Sequence, residues 1–518
     1  MRVLTPAEMR AVDQRAIDEL HVPGLVLMEN AALGVVRALL RRWPTPRRVL
    51  VLAGPGNNGG DGHAIARQLD ARGIAVEVIA FGPRPTGDAG RQLEILEASG
   101  FPVRSLAFDA ELDVVVERAR DADLLVDALF GTGLGRPLTG GLADLIDRLA
   151  TLEVPVLAVD LPSGLDGGRD TPIGPFLPAD LTVTFAAPKI AHVMPPAADR
   201  IGELEVVGLG VSSRLVAEVP GPAIHWVRAA EAAAWSTPRV AESHKGTYGH
   251  VLLVGGRTGT SGAVVLMARA AVRGGAGLVT AAVPSSLVPL VDAGSIESMT
   301  LALSADAAVD DEALDAVLAA AEGKSAVAIG PGMGTEPATR RFVHEAVARL
   351  TVPVVLDADG INAYAGQPET LRTREAATIL TPHPGELGRL LGISTTEVQA
   401  ARLEVVREAA RRTGCVVVLK GTRSLTAIPA GDIWVNSTGN PGMATGGSGD
   451  VLTGLIAALL GRGLDATVAA WLGVYLHGRA GDLAAAHTGE DGLAAADLVD
   501  MLPRTFLHEP ARDDPSLS

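Results

Sequence analysis

Short apolar runs closed by a glycine, proline or aspartate recur along this chain and alternate with stretches whose apolar residues repeat at helical spacing. From Arg48 the string RVLVLAGPGNNGGDGHAIARQLDARGIAVEVIAFG reads as strand, glycine loop, helix and second strand, a βαβ unit. DLLVDALFGTG, VPVLAVDLPSG, LTVTFAAPK and ELEVVGLG continue as buried-strand runs, which predicts an α/β domain on a mostly parallel sheet. The pattern lapses between Val211 and Trp226, where two prolines stand close together. A second α/β series follows with HVLLVGG, GLVTAAVP, AVAIGPG, VPVVLDADG, TILTPHPG and CVVVLKG, and SLTAIPAGDIWVN is expected as a β-hairpin around Ala430 and Gly431. Domains are therefore expected at 1–213 and 226–507, with a linker at 214–225 and a polar tail at 508–518.

Parallel sheets bind ligands at the carboxyl ends of their strands. Asp127, Asp160 and Lys189 each stand just after an apolar run, as do the glycine loops at 54–62 and 131–135. GPGNNGGDG departs from the dinucleotide fingerprint GxGxxG and offers two asparagine amides instead. Asn58, Asp127 and Ser163 are oxygen donors at strand ends, a set that suits a hard cation rather than zinc. In the second half, Gly446, Gly447 and Gly449 precede a helical run in which Val451, Leu455 and Leu459 repeat beside Leu452, Ile456 and Leu460. Bare glycines at a helix start let backbone N–H groups face an anion. Asp450 would repel a phosphate there unless it accepts a proton from an attacking hydroxyl; an N-cap residue would explain it equally.

Composition narrows the class. A chain of 518 residues is too long for one core, and a net charge of −16 disfavours a nucleic-acid partner. The single cysteine, Cys415, excludes an internal disulfide and any multi-thiolate metal site. The amino terminus alternates charges and lacks the apolar core of a signal peptide, and the uncharged stretch from Gly274 to Val291 is punctuated by Gly, Pro and Ser. A cytoplasmic protein with no membrane segment is expected. Only Lys189, Lys245, Lys324 and Lys420 stand beside 40 arginines. A compact ammonium suits a cramped site better than a guanidinium fork does.

SHKGTYGHVLLVGG, IGPGMG, LDADGINA, LTPHPGE, LKG and GNPGMATGGSGDVLTGLIAALLG, in that order from about Ser243 to Gly461, resemble the ADP/ATP-dependent NAD(P)H-hydrate dehydratase family of the ribokinase-like superfamily. MENAA at 28–32, GPGNNGGDG, DALFGTGLGRPL and VDLPSGLDG resemble the NAD(P)H-hydrate epimerase family from Leu4 to about Gly210. The resemblance implies a Rossmann-like three-layer sandwich followed by a ribokinase-like one. It implies Asp450 as catalytic base, with the backbone of Gly446, Gly447, Ser448 and Gly449 and the segment Lys420, Gly421, Thr422, Arg423 and Ser424 around the adenine nucleotide. Ala263, Gly332, Met333, Gly334 and His383 would meet the hydrated nicotinamide nucleotide, and Glu386 would hold magnesium through water. In the first half it implies potassium at Asn58, Asp127 and Ser163. Substrate would be held by Asn57, Asn58, Gly59, Gly60 and Asp61, by Gly131, Thr132, Gly133, Leu134, Gly135, Arg136 and Pro137, and by Asp160. Asp160 is the expected acid/base, assisted by Lys189.

The implied activity is bifunctional: epimerisation of the R and S hydrates of NADH and NADPH, and dehydration of the S form driven by ADP or ATP hydrolysis. The resemblance also implies a homo-oligomer. Two other readings are open to these residues. One is a ribokinase-like vitamin kinase with an accessory ligand-binding domain, since a GxGD element serves equally when the phosphorylated alcohol is the product; the other makes the first half a non-catalytic binding module.

Overall fold

A computed structural model describes residues 1–109, 112–235, 239–303 and 308–507, so the expected tail at 508–518 lies outside the described residues. The chain divides into two compact units between Gly221 and Pro222. The segment expected as a linker carries structure: a short helix, Arg214–Ala217, in the first unit and a strand, Ile224–Trp226, in the second.

The first unit is built on seven strands: β1 (Arg48–Ala53), β2 (Ala75–Phe81), β3 (Val103–Leu106), β4 (Leu124–Ala128), β5 (Val156–Val159), β6 (Leu181–Phe185) and β7 (Glu203–Val207). They lie parallel in the order β3-β2-β1-β4-β5-β6-β7. Both faces of the central strands are covered, which is why β1, β4 and β5 are mostly apolar. Val49, Val51 and Ala53 pack with Leu39 and Leu69 from the helices Gly24–Arg42 and Asn57–Asp70. Leu50 and Leu52 pack with Val115 and Leu145 from Leu112–Asp121 and Gly141–Leu149 on the other side. Strand order reverses between β1 and β4, so the chain leaves these two strands in opposite directions and opens a crevice at their carboxyl ends.

The second unit has β8 (Ile224–Trp226), β9 (His250–Val254), β10 (Leu278–Pro284), β11 (Met299–Leu303), β12 (Ala326–Ile329), β13 (Val354–Leu356), β14 (Thr378–Leu380), β15 (Val416–Leu419), β16 (Leu425–Ala427) and β17 (Ile433–Val435). Their order is β8-β17-β16-β15-β14-β13-β12-β9-β10-β11. Pairings are parallel except around β16, which forms the expected hairpin with β17 and pairs antiparallel with β15. The crevice analogous to that of the first unit opens between β9 and β12. Helix Ser448–Gly461 is apolar all round and buried, packed between the sheet and its neighbouring helices. Cys415, just before β15, is 2% exposed, and burial pushes its thiol up to about 12. Among the described residues no helix is long and apolar enough to cross a membrane.

Gly454 sits where the buried helix crosses Ser261–Arg273, and a Cβ there would lie 2.1 Å from the Met267 carbonyl oxygen. Gly454→Ala would gain up to about 1 kcal/mol of helix propensity yet force two backbones apart. Overpacking of about 1–3 kcal/mol outweighs that gain. Calorimetry is expected to show a lower melting temperature, and an unchanged or raised one would contradict this packing.

Candidate active sites

In the first unit a cavity of about 510 Å³ opens at the β1/β4 crevice. Of the expected residues it gathers Asn57, Asn58, Asp61, Gly131, Thr132, Gly133, Leu134, Asp160 and Lys189 along its wall. Gly135, Arg136 and Pro137 are not part of that lining. Gly59 and Gly60 do not line it either: a Cβ on Gly59 would lie 1.8 Å from the Gly54 carbonyl oxygen, and one on Gly60 would strike Ala89 and Met28. Close packing requires glycine at both positions.

Asp160 anchors the site. It follows β5 in the left-handed region (φ 64°), a conformation costing about 1–2 kcal/mol for a residue with a side chain. Its Oδ1 accepts hydrogen bonds from Lys189 Nζ (2.8 Å) and Thr184 Oγ1 (3.0 Å), and its Oδ2 accepts from the Thr132 N–H (3.0 Å). Lys189 is 1% exposed, so it is no solvated lysine. His192 supports the pair: its Nδ1 accepts from the Lys189 N–H, and its Nε2 lies 2.9 Å from the Asp160 carbonyl oxygen. Burial raises the Asp160 carboxyl, but the charge and hydrogen bond of Lys189 outweigh it and pull it down to about 2. A carboxylate held so firmly ionised is a fixed negative charge and a poor carrier of protons near neutrality. An acid/base role for Asp160 would have to work against that fixed charge. Leu4 donates its N–H to the Pro188 carbonyl (2.9 Å), and the Thr5–Glu8 capping box starts helix Pro6–Asp18, which brings Asp13 to the cavity. Sequence reasoning gives no signal for Asp13.

Asp127 and Ser163 lie beside this wall, both fully buried. Asp127 Oδ1 accepts from Ser163 Oγ (2.6 Å), Asp127 Oδ2 accepts from the Ser163 N–H (2.8 Å), and Ser163 Oγ accepts from the Phe130 N–H (2.9 Å). Burial pushes Asp127 up to about 6, and among the described residues no lysine or arginine pairs with it. Asn58 adjoins Gly131 and leaves its amide nitrogen buried without a partner. A buried, uncompensated carboxylate among neutral oxygen donors fits a monovalent cation.

In the second unit Asp450 is the third residue of helix Ser448–Gly461, so it is not the N-cap. The cap is Gly447, whose φ of 92° and lack of room for a Cβ against Leu266 require glycine. No side chain caps the helix, and the first-turn N–H groups face the loop that Gly446 leaves open. Lys420, at the end of β15, donates to Asp357 Oδ1 (2.8 Å), and Asp357 Oδ2 accepts from Thr453 Oγ1 (2.7 Å). Lys420 Nζ is also 3.8 Å from Glu386 Oε2. Three carboxyl groups thus surround one lysine. Burial raises the Asp450 carboxyl first, Asp357 and Glu386 add to it against the pull of Lys420, and it stands at about 7. Burial alone would lower Lys420, but Asp357 and Glu386 raise it.

Asp357 is the residue that sequence reasoning misses here, although it follows an apolar run as Asp127 and Asp160 do. It is 1% exposed, and the next residue, Ala358, holds φ 49° and ψ −115°. His383 caps helix Pro384–Leu391: its Nδ1 accepts from the Gly385 N–H (3.0 Å), while Glu386 Oε2 accepts from the His383 N–H (2.8 Å). Glu386 is therefore a capping-box residue whatever else it does. Thr260 Oγ1 donates to the Gly332 carbonyl (2.8 Å), which joins the helix start carrying Ala263 to the Gly332–Gly334 turn. Met333 is fully buried, so its side chain is turned away from any ligand. After Gly421, Arg423 Nη1 donates to the Ser437 carbonyl and Ser424 Oγ to that of Gly421, while the Thr422 carbonyl accepts from Arg402. Among the described residues no three His, Cys, Asp or Glu are arranged to hold a metal.

Residues 251–504 match the family described as NAD(P)H-hydrate dehydratase, and residues 24–191 match the YjeF-related protein N-terminus. A protein of Moorella thermoacetica named bifunctional NAD(P)H-hydrate repair enzyme is 43% identical over 97% of this chain and 96% of its own length. Its namesake from Escherichia coli is 35% identical over 96% and 92%. The chain belongs to the bifunctional NAD(P)H-hydrate repair enzymes. A crystal structure of the ADP/ATP-dependent NAD(P)H-hydrate dehydratase of Bacillus subtilis covers 54% of the chain and 97% of itself, at 35% identity and a TM-score of 0.48. Because repair-enzyme relatives span both units, neither a vitamin kinase with an accessory domain nor a non-catalytic first half is favoured.

A reaction that uses Asp450 as its base is expected to run faster as pH rises through about 7, where that carboxyl ionises. Asp357→Asn removes a negative charge beside Asp450 and releases Lys420. The rise should move to lower pH and kcat should fall by about 10–100-fold; an unmoved pH profile at full rate would rule out the Asp357 contribution.

Proposed function

We propose that the first unit interconverts the R and S hydrates of NADH and NADPH, and that the second unit dehydrates the S form at the expense of ADP or ATP. The observation that supports the second role best is Asp450, a carboxyl group poised near neutrality in the first turn of an uncapped, glycine-led helix. Among the described residues its carboxylate has no hydrogen-bond partner, so it is available to a substrate hydroxyl. Asp450 takes the proton of the ring hydroxyl as that oxygen attacks the terminal phosphoryl group. The backbone N–H groups of Gly446 to Gly449 and the charge of Lys420 hold the phosphoryl being passed. Phosphate then leaves, pushed by the lone pair of the ring nitrogen, and loss of a neighbouring proton restores the reduced nicotinamide. Ala263, the backbone of Gly332 to Gly334 and His383 hold the hydrated ring, and Lys420 to Ser424 hold the adenine nucleotide. Magnesium would come with the nucleotide and would offset its phosphate charge, and Glu386, one of the carboxyl groups near Lys420, would hold it through water.

In the first unit the reacting carbon is a hemiaminal centre that loses and regains oxygen. Asp160, held as an anion by Lys189, Thr184 and Thr132, stabilises the cation that forms when oxygen departs. Asn57, Asn58 and the Gly131 to Leu134 loop position the nucleotide around it, with Asp61 on the same cavity wall. Potassium would be held by Asn58, Asp127 and Ser163, where it compensates a buried charge. A cytoplasmic setting accords with the single buried cysteine. Exposed Leu290, Ile296 and Met299 beside edge strand β11 support homo-oligomeric assembly.

The test uses purified S and R hydrates of NADH. The full chain with ADP or ATP should restore the reduced-nicotinamide absorbance promptly from S, and from R after epimerisation. Asp450→Asn should cut dehydration by at least about 100-fold while the chain still epimerises. Asp160→Asn should do the reverse. No nucleotide-dependent recovery from either hydrate would refute the dehydratase assignment.

A further inference from the structure

The cavity of the first unit holds more carboxyl groups than its cations balance. Asp13, Asp61, Asp88 and Asp160 line it, against Arg10 and Lys189. Asp160 accepts three hydrogen bonds, from Lys189 and Thr184 on Oδ1 and from Thr132 on Oδ2, and its ion pair with the buried Lys189 favours the ionised form. Asp61 is in the opposite situation. It stands on helix Asn57–Asp70, is 8% exposed, and no group among the described residues hydrogen-bonds to its carboxyl. What exposure it has is to the cavity. Burial first, then the charges of Asp160 and Asp13, raise it well above the usual carboxylate range. Two buried carboxylates that repel across one cavity wall do not both ionise readily. With Asp160 committed to Lys189, Asp61 is the member that keeps its proton, and a neutral carboxyl presents one O–H donor. Asp13 is half-buried, is raised only to about 6, and lies further toward solvent.

We propose that Asp61 is the proton donor of the epimerisation, giving its carboxyl proton to the departing hydroxyl of the hydrated ring. This assignment rests on the epimerase reading of the first unit. The carbon–oxygen bond breaks with its electron pair leaving on water, and the ring nitrogen lone pair forms the carbon–nitrogen double bond of an iminium cation opposite Asp160. Water then adds to the other face of the same carbon. The proton it sheds returns through cavity water to the Asp61 carboxylate, so nothing is consumed and the centre is inverted.

Full-length Asp61→Asn, which keeps the shape of a neutral carboxyl, is compared with the parent in three measurements: R-to-S exchange corrected for the spontaneous rate, affinity of the first site for a hydrate, and nucleotide-dependent dehydration of S as a folding control. Exchange is expected to fall at least about 100-fold with affinity changed less than about threefold. The parent's exchange should decline as pH rises and Asp61 ionises. Asp13→Asn removes one of the charges that raise Asp61, so that decline should move to lower pH; Arg10, Asp88, Asp160 and Lys189 are unaltered in both variants. Exchange at the parent's rate in Asp61→Asn, or a loss accounted for by weakened binding, would overturn the assignment. A parent chain that does not accelerate exchange at all would remove the epimerase reading itself, and the donor with it.

Discussion

Placing carboxylates at the closed ends of parallel strands is the constraint from which both sites follow. The sheets bury both faces, so a charged residue after an apolar run has only the crevice beyond the strand to occupy, and taking an ion out of water costs several kcal/mol unless a partner compensates it. Each unit meets that cost with the same device. Lys189 lies 2.8 Å from Asp160, and Lys420 lies 2.8 Å from Asp357. These are two of only four lysines in a chain that otherwise uses arginine. A compact amine fits between strand ends where a guanidinium would not.

The compensation is deliberately incomplete. One lysine offsets one aspartate, and other carboxyl groups are left over: Asp13, Asp61 and Asp88 around the first pair, Asp450 and Glu386 beside the second. Burial and like charges raise Asp61, Glu386 and Asp450 above the usual carboxylate range. Support comes from outside the pairs. His192 fixes the backbone at both Asp160 and Lys189, and Thr453, on the buried helix that carries Asp450, grips the far oxygen of Asp357. Asp450 and the hydroxyl that grips Asp357 are therefore carried by one buried helix.

Much of this was legible before any coordinates, and for a physical reason. Strands buried on both faces must be apolar throughout, so β1, β4, β9 and β15 announce themselves, and the polar residue that closes each run is a site candidate. β3, β8 and β11 lack such runs; they lie at or near sheet edges and are only partly buried. Asp13 is hidden because it lies on an amphipathic helix, where acidic residues are ordinary. Asp357 obeys the strand-end rule as well as Asp160 does, but only the structure shows what it holds. The glycine loops are read least well. A glycine that admits a phosphate and one that admits a neighbouring carbonyl look identical in sequence, and Gly59 is of the second kind while Gly446 is free to be of the first.

The buried thiol of Cys415 gives the second unit a built-in reporter. At moderate pH it is neither ionised nor reachable in the native packing, so thiol-specific reagents can modify it only when β15 and the helices over it come apart. The rate of that modification would follow opening of the sheet that carries Lys420, residue by residue the same element that presents the dehydratase charge, without any engineered label.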